Sequence, residues 1–419
     1  MNRWIRLVAA VVAMIMIANL QYAWTLFVKP IIAATGWKLS DVQWGFTFFI
    51  AFETWMMPLG GWVIDRIGAR YIMSVAGLMC GIGWASIGHA HTLTSLYVFY
   101  SLAGFGASLV YCGSLAVALR WFPDRRGLAA GLIAGGFGSG AALFIPIIRY
   151  IIRIQDYRAA FLYTGIAFGA IIICAAQLLK NPPAGFLAAV PKAAKAKVQV
   201  RTSGVDMSPL EMLRTPHFYC LYAMMLMMGI GGLIVTAQAA PLASTLKISS
   251  AALTLALSLN PIANGISRVS WGWVSDHLGR QNTMALAFLL QSACLVGVVQ
   301  LGGRSDAWFV ASLALVFFTW GEVYVLFPSA AADFFGSKHV SSNYGFLYST
   351  KGVASIVGGG LAALIFEKMG SWNAVFYGSA ILALLSSIMA FTIRAVPMPT
   401  KSQEPELGQA QATVAQATD

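Results

Sequence analysis

Long apolar runs recur along the whole chain, and each is about as long as a membrane-spanning helix. Such a helix needs about 20 apolar residues to cross ~30 Å of hydrocarbon. Only 10% of the residues are charged, whereas a soluble protein carries about 25%. The sequence therefore predicts an all-α membrane protein with twelve transmembrane helices in contact with the lipid bilayer. The predicted spans are 6–28, 42–64, 71–90, 95–118, 127–150, 159–180, 217–243, 250–273, 282–302, 308–330, 341–366 and 372–395.

One long polar stretch divides these spans into two groups of six. Near its end, Ser208 and Glu211 have the spacing of a capping box that opens a short helix. The residues after 395 are polar and poor in aromatics, which predicts disorder. The predicted domains are an N-terminal six-helix half (1–180), a cytoplasmic linker with a short amphipathic helix (181–216), a C-terminal six-helix half (217–395) and a disordered cytoplasmic tail (396–419).

The net charge of +12 reflects the orientation of the chain in a membrane. Most Lys and Arg residues outside the spans lie on the side of the amino terminus, and this bias predicts that both termini are cytoplasmic. The basic residues are scattered between apolar runs, so no nucleic-acid partner is predicted. The five cysteines lie inside apolar runs without metal-ligand spacing, and no metal or cofactor is predicted. We expect a monomer in the cytoplasmic (inner) membrane.

A short motif occurs twice, after the second and after the eighth predicted span. Its glycines allow a tight turn, and its Asp can pair with an Arg or cap a helix. A weaker match relates Tyr111 to Tyr324. The duplicated motif resembles the cytoplasmic signature of the major facilitator superfamily, which implies two pseudo-symmetric six-helix halves and alternating access. The motif residues are Gly61, Asp65, Arg66, Gly68 and Arg70 in the first copy and Gly272, Asp276, Gly279 and Arg280 in the second.

Four ionisable side chains fall inside predicted spans, near the membrane midplane: Glu53, Arg268, Glu322 and Lys351. Each costs ~2.5–3.5 kcal/mol to insert, so each needs a structural or functional reason. In one interpretation the two cations form salt bridges with the two acids. In the other, Arg268 and Lys351 bind an anion in a central cavity, the Arg as a planar fork and the Lys as a point charge.

Helical spacing favours anion binding. One face of the eleventh span carries Tyr344, Tyr348, Lys351 and Ser355, and one face of the eighth carries Asn260, Asn264, Arg268 and Trp271. Trp320 and Tyr324 share a face of the tenth span. Glu322 then points away from both aromatics, so we expect it to pair with another helix or to stay protonated by desolvation.

Motifs along nearly the whole chain resemble those of the oxalate/formate antiporter family. They are Gln21 to Leu26, Val110-Tyr111, Arg120 to Ala129, Glu211 to Phe218, Asn264 to Arg268, Trp271-Gly272, Ser275-Asp276, Phe317 to Gly321, Asn343 to Phe346 and Lys351 to Ile356.

The resemblance implies that Arg268 and Lys351 bind a dicarboxylate inside an aromatic cage. Residue by residue, it points to Tyr22, Tyr111, Trp320 and Tyr324 as cage residues. With the polar faces described above, the predicted substrate-binding set also includes Tyr348, Gln21 and Asn264.

The chain departs from the family at three positions. Tyr348 stands where the family has Trp, Glu322 replaces a small residue, and Glu53 adds a second acid. Both acids are therefore candidates for proton coupling or charge compensation. They could cancel the +2 charge of the cavity, which would favour a monocarboxylate moved with a proton.

Two transport functions follow. The first is an oxalate:formate-type antiporter of small organic anions, in which the two cations repel one another when the cavity is empty, so that only a loaded carrier switches sides. Close helix approach at the glycines of 131–140 would serve this motion. The alternative is a proton-coupled symporter of monocarboxylates such as lactate or pyruvate. No hydrolase motif is present, so an enzyme is not predicted, and without a nucleotide-binding loop ATP-driven pumping is not predicted. A sensor that binds a ligand on the same fold without transporting it stays open.

Overall fold

The computed structural model describes residues 3–122, 126–180, 205–336, 340–393, 396, 397 and 399. Within these ranges the chain is helical and contains no strand. Ten helical stretches are long and apolar enough to cross a membrane. The predicted second and eighth spans are also helical, but the second is broken at Met56 and the eighth carries polar side chains. The predicted all-α fold with twelve transmembrane helices is confirmed.

Most observed helices extend beyond the predicted spans, most clearly at the end of span 1, whereas spans 3, 6, 9 and 12 end one to three residues earlier than predicted. They are Arg3–Tyr22 and Trp24–Thr35 (span 1), Leu39–Trp55 and Met57–Ile67 (span 2), Ala69–Ile87 (span 3), Leu93–Trp121 (span 4), Arg126–Ser139 and Phe144–Ile154 (span 5), Tyr157–Leu178 (span 6), Pro216–Thr245 (span 7), Ser250–Leu278 (span 8), Arg280–Leu301 (span 9), Asp306–Trp320 and Val323–Phe335 (span 10), Val340–Tyr348, Thr350–Ile356 and Ala362–Met369 (span 11) and Asn373–Thr392 (span 12).

The interruptions inside spans lie next to candidate site residues. Ala23 follows Gln21 and Tyr22, Met56 follows Glu53, and Ser349 lies between Tyr348 and Lys351. Span 11 also contains a π-helical turn, Val357–Leu361. Irregular backbone at membrane depth is tolerated where it is buried in protein or lines a cavity, and π-helical turns frequently occur at functional sites. The breaks therefore mark the centre of the protein.

Between the two halves, hydrogen bonds concentrate on one side of the membrane. We call the side that holds Arg3 and Ile393 the terminal side and the side that holds Gly36 and Gly370 the distal side. On the distal side, spans 1 and 2 pack against spans 7 and 11, and the closure is tight. The bonds run from Ser40 N and Oγ to the Glu367 carboxylate, from Gln43 Nε2 to Ala237 O, from Thr47 Oγ1 to Ser355 O and from Ala240 N to Thr25 Oγ1, all at 2.8–2.9 Å.

The duplicated motif adopts the same backbone in both halves. A single glycine joins span 2 to span 3 and span 8 to span 9. Gly68 has φ 96° and ψ 146°, and Gly279 has φ 80° and ψ 155°, a conformation that is essentially restricted to glycine. The sequence repeat is therefore also a repeat of backbone geometry.

Two of the three motif arginines, Arg70 and Arg280, bind a neighbouring helix. Arg70 donates from Nε and Nη2 to Gln177 Oε1 at 2.9 and 2.7 Å. Arg280 pairs with Asp333 at 3.2 Å and donates to Ser275 Oγ at 2.8 Å. The side chains of Asp65 and Asp276 lie outside the described part of the chain, so their predicted pairing or capping stays a prediction.

The short helix before span 7 is Pro209–Leu213, and its capping box is formed. Ser208 N donates to Glu211 Oε2 at 2.7 Å, and Glu211 N donates to Ser208 Oγ at 3.4 Å. The predicted linker residues 181–204 and most of the predicted tail lie outside the described residues, so the domain limits stay predictions.

We expect Gly68→Ala and Gly279→Ala each to destabilise the protein by about 1–3 kcal/mol, because a non-glycine residue is strained in this backbone conformation. No neighbouring atom lies within 4 Å of a Cβ built at either position, so strain alone would produce the loss. Thermal unfolding of the purified protein in detergent measures it. Gly378→Ala, inside helix Asn373–Thr392 and equally free of neighbours, is the matched control. Equal melting temperatures for all three variants and the unchanged protein would contradict the prediction.

Candidate anion-binding site between the two halves

Lys351 is bound by acceptors from the opposite half of the protein. Its Nζ donates to Glu53 Oε2 at 2.8 Å, to Glu53 Oε1 at 3.1 Å and to Gln21 Oε1 at 2.9 Å. The exposed fraction is 3% for Lys351 and 0% for Glu53. Spans 1, 2 and 11 therefore meet at a buried ion pair, and the charge of Lys351 is compensated by the protein.

Arg268 lies near this pair but has no carboxylate partner among the described residues. Its Nη1 donates to Ala134 O at 2.7 Å and its Nη2 to Asn264 Oδ1 at 3.1 Å. The guanidinium carbon lies 4.8 Å from the centre of the Tyr324 ring. The exposed fraction is 6%, and Nε has no hydrogen-bond partner in the described structure. Arg268 is therefore a buried cation whose charge the described protein groups leave uncompensated.

The salt-bridge interpretation of the buried charges holds for Lys351 but not for Arg268, and anion binding by Arg268 stays a prediction. Lys351 forms the expected salt bridge with Glu53. Arg268 forms no pair with Glu322, because Glu322 stands two residues before Tyr324, the residue of span 10 that faces Arg268, and so points away from it. Glu322 is fully buried, and neither of its carboxyl oxygens has a hydrogen-bond partner in the described structure. Of its two expected states, pairing with another helix is not found there, and protonation stays a prediction.

Aromatic rings from both halves surround the two cations. Four of the five aromatic residues in the predicted substrate-binding set are part of this shell, which also includes Phe137 and Phe317. The centre of the Phe137 ring lies 5.3 Å from Lys351 Nζ, and this ring contacts both Tyr22 and Tyr111. The ring-centre distances are 5.8 Å for Tyr22–Phe137 and Tyr111–Phe137, 6.0 Å for Tyr111–Tyr348, 6.1 Å for Tyr324–Tyr348 and 6.2 Å for Tyr22–Phe317.

Trp320, the fifth predicted aromatic, packs against two residues of the shell, Tyr324 and Phe317. Its ring meets Tyr324 edge to face at 5.5 Å and packs so closely on Gly232 that a Cβ there would overlap it. It also meets Phe317 of the shell edge to face at 5.6 Å. Its predicted place in the cage stays a prediction.

The two predicted amides hold one cation each. Gln21 accepts from Lys351 and Asn264 accepts from Arg268. Asn260, on the same face of span 8, lines a small cavity on the distal side together with Tyr22 and Phe317. Neither side-chain atom of Asn260 has a partner in the described structure, so this cavity offers polar groups beside the aromatic shell.

The sequence reasoning missed Phe137 and Ala134. Phe137 lies among glycines and is apolar, so its sequence carries no polar signal. Ala134 acts through its backbone carbonyl, which no side-chain pattern reveals. Phe317 stood within a quoted motif but was not assigned to the cage.

The site suits one carboxylate better than two. Arg268 can offer its guanidinium fork to a carboxylate, and flat aromatic rings flank the space beside it. A second carboxylate would have to displace Glu53 from Lys351.

The two sides of the site differ in exposure. On the distal side the site is closed, whereas Tyr111, Tyr324 and Tyr344 on the terminal side are half-buried.

Comparison with known proteins places this geometry in a family. The profile of the Major Facilitator Superfamily matches residues 9–329 and 219–418. The chain is 37% identical to the oxalate:formate antiporter of Oxalobacter formigenes over 96% of this chain and 94% of that protein. An uncharacterized MFS-type transporter of Escherichia coli, YhjX, is 26% identical over 85% of this chain and 86% of its own length.

More distant relatives include monocarboxylate transporter 12-B of Danio rerio, which is 21% identical over 83% of this chain and 77% of its own length. The fold, the superfamily match and the identity along nearly the whole length of the Oxalobacter protein agree. The chain belongs to the oxalate/formate antiporter family of the major facilitator superfamily.

Proposed function

We propose that this protein exchanges small carboxylates across the cytoplasmic membrane by alternating access, as an antiporter of the oxalate:formate type. The observation that carries the proposal is the uncompensated guanidinium of Arg268, buried within an aromatic shell between the two halves. The name of the 37% identical relative supports the substrate class. The relatives are transporters, and we propose neither an enzymatic reaction nor a cofactor.

The substrate carboxylate binds the Arg268 fork, while Tyr22, Tyr111, Tyr324 and Tyr348 enclose it. Gln21 and Asn264 orient the cations. Both cations reach acceptors in the N-terminal half, at Glu53, Gln21 and Ala134. Rocking of one half against the other must therefore break and remake these bonds around the bound anion.

Exchange follows from the charge of the empty site. A buried charge without a partner is costly in a low-dielectric interior, and Arg268 leaves the empty centre with such a charge. A bound carboxylate removes it, so the loaded carrier closes more readily than the empty one. The carrier then returns with a second anion, which is antiport. We further propose a monomer with both termini in the cytoplasm.

A proton-coupled monocarboxylate symporter is the second candidate function. The ion pair of Glu53 and Lys351 favours it, because protonation of Glu53 would release Lys351 to a substrate. Distant relatives named monocarboxylate transporters fit this candidate.

Exchange in proteoliposomes tests the proposal. We expect labelled oxalate to enter vesicles loaded with oxalate or formate, and little to enter empty vesicles. A symporter would instead take up lactate or pyruvate under an inward proton gradient, without a counter-substrate. Absence of oxalate exchange together with such uptake would replace the first function with the second.

We expect Arg268→Gln to lower the exchange rate at limiting substrate roughly 10- to 100-fold, because a charged hydrogen-bond donor to the carboxylate is lost. Arg304→Gln removes a positive charge from an exposed distal loop and is the control for net charge. Equal loss in both variants would mean that Arg268 has no specific role.

We expect Gly138→Ala to weaken apparent substrate affinity about tenfold, which corresponds to ~1.4 kcal/mol. A Cβ at this position would lie 2.9 Å from Asn264 Oδ1 and 3.3 Å from Arg268 Cζ, so it would displace the guanidinium. Gly135→Ala, on the same helix with no neighbour within 4 Å, is the matched control. Concentration dependence of exchange measures both, and an unchanged affinity in Gly138→Ala would contradict the assigned position of Arg268.

A further inference from the structure

The centre of the protein holds three charged groups in close proximity. Arg268 and Lys351 contribute two positive charges and Glu53 one negative charge, so the empty site carries a net charge of about +1 in the described structure. Glu322, the other buried acid, points away from the aromatic shell and contacts neither cation. One monocarboxylate anion therefore brings the centre to neutrality while the Glu53–Lys351 pair stays intact.

A bound dicarboxylate would give the centre a different net charge. To reach both cations it must take Lys351 from Glu53, because the three N–H donors of the ammonium group are already engaged by Glu53 and Gln21. The displaced carboxylate would then be buried without a cation, and the centre would carry a net charge of about −1. Such an uncompensated buried charge is strongly unfavourable.

We propose that Glu53 sets the charge of the loaded site: it is ionised when a monocarboxylate is carried and protonated when a dicarboxylate is carried. The proton comes from water on the side where the dicarboxylate binds and returns to water where it leaves. Exchange of a dicarboxylate dianion for a monocarboxylate anion therefore moves one proton with the dianion and no net charge. This inference rests on the proposed carboxylate exchange.

Glu53 and the titratable groups around it differ in their ability to take up and release this proton, and Glu53 is the one suited to do so. Span 1 contributes Gln21 and Tyr22, span 4 contributes Tyr100 and Tyr111, and span 11 contributes Tyr348 and Lys351, with Tyr324 and Arg268 further across the site. Tyrosine hydroxyls are already protonated at neutral pH. No second carboxylate faces the cations in the part of the chain that the structure describes.

The corresponding position in the C-terminal half supports the assignment of the proton to Glu53. Asn264 stands twelve residues before Asp276, as Glu53 stands twelve before Asp65. It accepts from Arg268 through a neutral amide. The two halves thus place an acid beside one cation and an amide beside the other, and only the acid can carry a proton.

The test is oxalate uptake into formate-loaded proteoliposomes under imposed potassium diffusion potentials of either sign. A process that moves one charge would shift its accumulation ratio ~50-fold at about 100 mV, whereas we expect the unchanged protein to show no shift. We also expect oxalate uptake to acidify the vesicle interior and to rise up to ~tenfold for each unit of lower external pH.

Glu53→Gln cannot release or take up the proton, so its oxalate:formate exchange should become sensitive to potential and insensitive to pH. Glu322→Gln, a change of the same chemistry away from the cations, should behave as the unchanged protein. If Glu53→Gln does not fold, the potential and pH dependence of the unchanged protein still tests whether a proton moves with the dicarboxylate.

Potential-dependent exchange by the unchanged protein without acidification would overturn this inference and leave the proposed antiport intact. Electroneutral exchange that Glu53→Gln leaves unaltered would assign the proton to another group and would also overturn it. Absence of any oxalate or formate exchange would overturn the proposed function itself, and this inference with it.

Discussion

A buried charge needs a partner, and the centre of this protein is organised around that constraint. Lys351 satisfies it with Glu53 and Gln21, and this contact joins spans 1, 2 and 11 across the two halves. Among the described residues, Arg268 donates only to a carbonyl and an amide oxygen. On this difference between the two cations rests our proposal that the site binds an anion and that the bound anion eases closure.

The backbone is adapted to the same centre. Spans 1, 2 and 11 are interrupted next to Gln21, Glu53 and Lys351, so their polar groups meet within the membrane interior. Toward the distal side, small and polar residues close the halves against each other. Aromatic rings surround the cations and make their environment less polar than water, which strengthens the electrostatic contacts.

The sequence was sufficient for the fold because apolar runs and the loop repeat act through local or average properties. It also singled out both cations and most shell tyrosines, since charges are rare within the spans and tyrosines recur at helical spacing. It could not decide which acid meets which base, because Glu53 and Lys351 are far apart along the chain and their contact depends on how the halves pack. Phe137, the Ala134 carbonyl and the position of Trp320 depend on the same packing.

The hydrogen bonds that the two cations form across the centre all run from donors in one half to acceptors in the other. Both cationic donors, Arg268 and Lys351, belong to the C-terminal half, and the acceptors they reach across the interface, Gln21, Glu53 and the Ala134 carbonyl, belong to the N-terminal half. Two copies of the N-terminal half would bring acceptors against acceptors, and two copies of the other would bring cation against cation. The two halves are therefore complementary in charge at the centre, where one supplies the cations and the other supplies their acceptors.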